Sequence, residues 1–398
     1  MQQNNFFITC APDLEALLAE ELTSLGAIHT KMTKAGVTAT GDLAFAYRVL
    51  IWSRLAHHIY LQLLTCNAED ALALYEGARQ IPWQEHFDLK TTFAVTATGH
   101  SAALRNSHFT ALKIKDAIAD HFMQHFRARP LVDTKHPQVV INLHLSAKTA
   151  VIGLDLAGES LHRRGYRTIP GEAPLKETLA AALLYRAGWQ DCVQNPQPII
   201  DPLCGSGTLL IEAALMAYDI APGLLRQTFS CKALKFFNPS LWQQLIHEAK
   251  ERRAIGLKRS GFFFGGADHN PLVLARARER LADIVPENNY KLLQIPLQKL
   301  NLTRFFGENN RCGLIITNPP YGKRLNNGPE LPVIYAALGR FLREECLGWR
   351  AALFTGAPQL GKELGMRPQK QYHFFNGSSP CKLLLFEVTK SNFWKEFI

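Results

Sequence analysis

The stretch "PIIDPLCGSGTLLIEAALMA", residues 198–217, decides the fold class. An apolar strand runs into Asp201, Pro202 ends its ladder, and Gly205 and Gly207 allow the backbone to turn and to approach a ligand closely. From Thr208 the apolar run is too long for an ordinary strand and reads as a helix, whose first N–H groups face back onto the loop. The spacing is neither G-x-x-x-x-G-K-[ST] nor G-x-G-x-x-G, which argues against a phosphate-gripping loop and a dinucleotide loop. A strand-end Asp before a short glycine turn suits a ligand with a cationic amino acid portion and no pyrophosphate. A purely structural turn is the alternative.

Working outward, the same strand–helix alternation continues. "FFFGGAD" precedes the helix "PLVLARARERLADI", and "YKLLQI" is a weaker third strand. "CGLIITNPPY" precedes a helix around "VIYAALGRFLREECL", then come the strand "RAALFTG" and a hairpin of "QYHFFNG" and "CKLLLFEV" over "NGSSP". Apolar strands alternating with helices predict a parallel α/β sheet covered on both faces. Residues 220–258 break the alternation and read as an insertion. Ahead of residue 157, short strands ("NFFITCA", "VTATG", "HHIYLQLLT", "TFAVTATG") mix with helices, one of them long (about 105–128), and residues 137–158 read as a hairpin. That part is α+β.

Two strand ends besides Asp201 carry chemistry. Asp268 closes "FFFGGAD", where a carboxylate can accept both hydroxyls of a ribose or, less specifically, cap the next helix. The fourth strand ends in Asn318-Pro319-Pro320-Tyr321. Two prolines cannot continue a strand, so the corner is sharp and rigid. An aromatic amine is a poor nucleophile because its lone pair is delocalised into the ring. The Asn318 side-chain oxygen and the Pro319 carbonyl can accept its two N–H groups and favour a pyramidal nitrogen, while Tyr321 stacks on the base. Such a site needs neither a metal nor a strong base. A simple strand-to-helix turn is the alternative, and so is a fold that binds RNA without catalysis.

Composition limits the setting. The chain has 398 residues, 47% hydrophobic and 20% charged, enough for two or three domains. No apolar run reaches a bilayer-spanning length, the N-terminus does not read as a signal peptide, and eight cysteines without a C-x-x-C pair suggest reduced thiols; we expect a cytoplasmic protein. His121 and His125 stand four apart on a helix without a third ligand nearby, so no metal is expected. Residues 1–157 carry 13 Lys and Arg against 14 Asp and Glu, a net of −1, whereas residues 158–398 carry 31 against 20, a net of +11. A basic excess points to a polyanion, nucleic acid above all. Arg163, Arg164 and Arg167 in "LHRRGYR" are candidate phosphate contacts, with pairing to Glu159 and Glu172 as the alternative.

These motifs resemble the S-adenosylmethionine-dependent amino-methyltransferases, which pair D-x-x-x-G-x-G with [DNS]-P-P-[YFW]. "LHRRGYR", "APLKETLAAALL", "APGLLR", "TNPPYGKRL" and "FNGSSPCKLLLFEV" extend the likeness to the RlmL/YcbY-type THUMP-domain RNA methyltransferases. The resemblance implies a ferredoxin-like subdomain over 1–65, an RNA-binding THUMP domain over 66–157 and a Rossmann-like class I methyltransferase domain over 158–398. It implies S-adenosyl-L-methionine as cofactor, with Asp201, Gly205 and Gly207 on its methionine side, Asp268 on its ribose, and Pro174, Leu175, Lys176 and Glu177 against it. It implies methylation of guanine N2 in 23S ribosomal RNA before the ribosome is fully assembled, with Asn318, Pro319, Pro320 and Tyr321 holding the base. A tRNA guanine-N2 enzyme and a DNA adenine-N6 enzyme are the neighbouring readings. Many relatives place an acid after the third strand; here Gln294, Pro296 or Gln298 stands there. Some relatives carry a second methyltransferase domain; the chain ends at Ile398, so one activity is expected.

Overall fold

The computed structural model of the chain describes residues 3–167, 175–307, 312–321 and 330–394. Two units emerge, Met1–Arg163 with Gly223–His247, and Arg164–Pro222 with Glu248–Ile398.

The first unit contains β1 (Asn4–Thr9), α1 (Glu15–Ser24), β2 (His29–Thr33), β3 (Gly36–Gly41), α2 (Leu43–Trp52), β4 (His58–Asn67), α3 (Ala71–Arg79), β5 (Phe93–His100), α4 (Ser107–Phe126), β6 (Val139–Ser146) and β7 (Thr149–Asp155). Its helices begin where short polar residues can cap them. The side chains of Asp42, Asp70 and Asn106 accept the N–H groups of Phe45, Ala73 and Phe109. The strands form one sheet in the order β2-β3-β1-β4-β7-β6-β5. β5 and β6 run parallel with α4 between them in the chain, and the remaining pairs are antiparallel. The regions expected as 1–65 and 66–157 therefore share a continuous ladder through β4 and β7. β2, polar and without clear alternation, was not anticipated.

The irregular segment after Pro222 is the main departure from a contiguous 158–398 domain, because residues 223–247 group with the first unit. Backbone and side-chain contacts explain this. The Arg226 guanidinium donates to the carbonyls of Glu159, Ser160 and Arg163. The Ser230 hydroxyl donates to the Gln138 carbonyl at 2.6 Å, and the Tyr47 hydroxyl accepts the Asn238 N–H at 2.9 Å. Trp242 meets Tyr47 edge-on at 5.2 Å.

The second unit holds α5 (Glu177–Arg186), α6 (Trp189–Gln194), β8 (Pro198–Asp201), α7 (Thr208–Ala217), the later part of α8 (Pro239–Gly256), β9 (Phe263–Asp268), α9 (Pro271–Ala282), β10 (Tyr290–Gln294), α10 (Thr303–Phe306), β11 (Leu314–Thr317), α11 (Glu330–Glu345), β12 (Arg350–Thr355), β13 (Lys370–Asn376) and β14 (Ser379–Glu387). The sheet order is β10-β9-β8-β11-β12-β14-β13. The first five strands pair in parallel and the β13–β14 hairpin is antiparallel. Every residue of β8 and β11 is buried, as expected for strands covered on both faces. Ile200, Ile315, Phe341, Trp349, Leu353 and Phe386 are core members, and burying such side chains stabilises by about 1.5–3 kcal/mol each. Gly266 lets β9 sit under its cover, because a Cβ there would come within 2.6 Å of Leu292 and 2.9 Å of Leu210.

Candidate active site at the carboxyl ends of the parallel strands

The strand order reverses between β8 and β11, and the crevice outside the carboxyl ends at such a point is where open α/β sheets bind ligands. Asp201 ends β8 and is 2% exposed. Its Oδ1 accepts the Leu203 N–H at 3.1 Å. Burial pushes its carboxyl up to about 7; the Thr317 hydroxyl and the Leu203 N–H oppose the shift and the Asp268 charge adds to it. Thr317 ends the neighbouring strand β11.

Asp268 does two jobs. Its Oδ2 accepts the Gly205 N–H at 3.0 Å, and its Oδ1 accepts the Asn270 N–H at 2.9 Å. It therefore pins the glycine loop to β9 and shapes the turn into α9, whose N-cap is Asn270, with its side chain accepting the Leu272 N–H. It remains 13% exposed, and each oxygen keeps a second lone pair. Gln294 lies opposite Asp268 in the β9–β10 register, and the Ile295 N–H donates to the Asp268 carbonyl at 3.0 Å.

The two loop glycines differ. Gly205 has φ +51°, and a Cβ there would meet nothing within 4 Å, so its open side is available to a ligand. Gly207 has φ +77°, and a Cβ there would lie 3.1 Å from the Ala277 Cβ on α9. Gly205 leaves room; Gly207 allows the turn and the packing of α7 on α9.

At the end of β11, the Asn318 Oδ1 is buried and has no hydrogen-bond partner among the described residues. An unsatisfied buried acceptor costs about 1–3 kcal/mol, so this atom is poised for an N–H donor. Pro319 is buried, and Pro320 and Tyr321 are half-buried. The Tyr321 hydroxyl accepts the Asn376 Nδ2–H at 2.9 Å, with the Cys381 Sγ at 3.6 Å.

Burial separates the three junction arginines. Arg163 is exposed and pairs with Glu159, the alternative set against phosphate binding. Arg164 is 1% exposed and lies 3.6 Å from the buried Glu212, which also accepts the Tyr166 hydroxyl. Arg167 is mostly buried, pairs with Glu177 at 3.2 Å, and donates to the Leu175 carbonyl and the Thr208 hydroxyl. Burial takes Arg164 off any phosphate-facing surface and commits Arg167 to tying the start of α5 to that of α7. Glu177 is thus buried, its carboxyl raised by burial against the opposing Arg167 charge. Leu175 is buried, Lys176 is exposed at the head of α5, and Pro174 lies outside the described residues.

Sequence reasoning missed the Arg167–Thr208 tie and Asn376, since each acts through a partner more than 30 positions away. No group of three or more His, Cys, Asp or Glu able to hold a metal occurs among the described residues. His121 and His125 instead stack at 4.3 Å, with His121 bonded to Gln84. No described helix is long and apolar enough to cross a membrane.

Five parallel strands extended by an antiparallel hairpin, with an acid–glycine loop after the central strand and N-P-P-Y after its neighbour, define a Rossmann-like class I methyltransferase fold. Residues 164–384 match the family model of the RMKL-like methyltransferase domain, residues 68–155 that of the THUMP domain, and residues 5–60 that of the RlmL ferredoxin-like domain. The chain belongs to the RMKL-like methyltransferase family. It is 41% identical over 98% of its length to a ribosomal RNA large subunit methyltransferase K/L of Syntrophotalea carbinolica, and 42% identical over 97% to one of Pseudomonas paraeruginosa. Those alignments cover 54% and 53% of the relatives, so the chain spans about half the length of the curated relatives it matches. Among solved structures, SMU.472, described as a putative methyltransferase complexed with SAH, superposes with a TM-score of 0.84 at 27% identity over 97% of this chain and 98% of that one. TrmN from Thermus thermophilus shares the fold, at TM-score 0.68 and 21% identity over 97% and 99%.

Proposed function

We propose that the chain transfers a methyl group from S-adenosylmethionine to the exocyclic N2 amine of a guanine in 23S ribosomal RNA, before ribosome assembly is complete. The observation that carries the reading is the buried, unpartnered Asn318 Oδ1 beside a loop suited to the cofactor. Asp201, the open side of Gly205, Asp268 and Gln294 line up across three adjacent strand ends, β8, β9 and β10, in the order needed for an amino acid, a ribose and a base. When bound there, the cofactor supplies an electrophilic methyl group on a positively charged sulfur.

The chain's own residues prepare the amine. Asn318 Oδ1 and the Pro319 carbonyl accept its two hydrogens, which directs the nitrogen lone pair away from the ring plane. Tyr321 stacks on the base. As the N–C bond formed and the methyl group's bond to sulfur broke, leaving a neutral thioether, the nitrogen would become cationic and the two acceptors would stabilise the charge. One proton then leaves to water, giving the methylated amine, so a strong general base is not needed. The choice of ribosomal RNA rests on the relatives' names and on the THUMP match.

The test is direct. The protein is incubated with methyl-labelled S-adenosylmethionine and, separately, unmodified 23S RNA, total tRNA and DNA, and each product is digested to nucleosides. N2-methylguanosine from 23S RNA is the expected product. The same nucleoside from tRNA alone would move the substrate, and N6-methyladenine would overturn the base assignment.

A further inference from the structure

We infer that Asn376, on the C-terminal hairpin, is a positioning residue that aims Tyr321 at the target base. The inference rests on the function proposed above and adds a residue to that site. Asn376 ends β13 and is paired with Ser379 across the turn, where Gly377 has φ +64°. The turn brings its Nδ2 to 2.9 Å from the Tyr321 hydroxyl, 55 positions earlier in the chain. The Cys381 Sγ on β14 approaches the same oxygen at 3.6 Å. The ring is held on its other sides as well. Tyr321 meets the buried Phe354 of β12 edge-on at 6.3 Å and 87°, and Phe354 meets Phe374 of β13 in the same way at 6.1 Å and 89°. Gly356, just after β12, lies under the ring, where a Cβ would come within 2.6 Å of the Tyr321 Cδ2.

A stacking platform works only if its plane is fixed before the base arrives, because a ring that must be ordered on binding loses part of the contact energy to entropy. Phenylalanine at position 321 would keep the stacking face but lose the hydrogen bond that fixes where the tip of the ring lies. The hairpin closes the sheet and also clamps the residue that receives the base.

A double-mutant cycle of Asn376→Ala and Tyr321→Phe on unmodified 23S RNA tests this, with S-adenosylhomocysteine affinity measured by calorimetry. Each single variant should lower kcat about tenfold, leave KM for RNA within about twofold, and leave cofactor-product affinity unchanged. The double variant should be no slower than either single one, because both remove the same bond. Asn376→Gln, which keeps an amide donor, should recover part of the rate and serves as a second variant if Asn376→Ala does not fold. Folded Asn376→Ala protein with normal kcat, or losses that multiply in the double variant, would overturn the inference while leaving the methyltransferase reading intact. Wild-type protein that methylates no nucleic acid would overturn the function and this inference together.

Discussion

Asn318 and Asp201 are polar groups at neighbouring strand ends, and they separate binding from chemistry. In the reaction proposed above, Asn318→Ala removes an acceptor of the target amine without touching the glycine loop. Turnover should fall by roughly 100-fold or more while S-adenosylmethionine binding by calorimetry stays nearly unchanged. Normal turnover in the folded variant would sink the mechanism. Asp201 predicts a pH effect. Its carboxyl titrates at about 7 in the folded protein against an ordinary 3.8, chiefly because it is buried. Between those values the folded protein holds a proton that the unfolded chain releases, so this group makes stability fall as pH rises from about 4 to 7. Asp201→Asn keeps the acceptor for the Leu203 N–H and removes the charge. Without ligand it should unfold later than wild type at pH 8, by up to roughly 4 kcal/mol, with the gap narrowing by pH 5 and closing near pH 4. Its affinity for a cationic ligand should be lower at pH 8. Thermal melts at both pH values decide the point, and identical pH dependence in the two proteins would refute it.

Between strand and helix, the loop glycines predict opposite phenotypes. Gly207→Ala puts a side chain in a left-handed conformation and 3.1 Å from Ala277, so α7 cannot keep its packing on α9. Urea melts should show a loss of roughly 1–3 kcal/mol. Gly205→Ala has the backbone strain without the clash, so its stability loss should be about 1 kcal/mol and its main effect a weaker cofactor affinity. Equal cofactor affinity in Gly205→Ala and wild type would place the ligand elsewhere. Both glycines were legible as a turn from their position after a strand. Their division of labour was not, because Ala277 lies 70 positions beyond Gly207.

Over the whole chain, the net of +11 beyond residue 157 predicts RNA binding that weakens steeply with salt, each neutralised phosphate adding about 0.7–0.9 to the log–log slope. Burial now sorts the junction arginines. Arg163→Gln removes an exposed charge and should flatten the slope by no more than one phosphate's share. Arg164→Gln leaves Glu212 without its buried guanidinium partner; it should cost about 3 kcal/mol of stability and leave the slope of the folded protein unchanged. Filter binding across a salt series checks both, and a flatter slope in folded Arg164→Gln would return that residue to the RNA surface.

The strand–helix alternation, the loop after "PIID" and the N-P-P-Y corner could be read from local pattern, because backbone chemistry within a few residues dictates them. Two consecutive prolines after an apolar run end a strand, and a strand end followed by glycines and a helix forms a turn. Asp201, Asp268 and Asn318 were legible for the same reason. Three features depended on partners far along the chain. Residues 223–247 joined the first unit through Arg226, Ser230 and Trp242, although their place in the sequence lies between β8 and β9. Arg164 and Arg167 looked like surface charge until Glu212 and Glu177 enclosed them. Asn376 looked like an ordinary turn residue until the hairpin brought it to Tyr321. Charge and residue type state what a side chain can bond to. Which of those bonds form is decided by which distant segments the packing brings within about 3 Å.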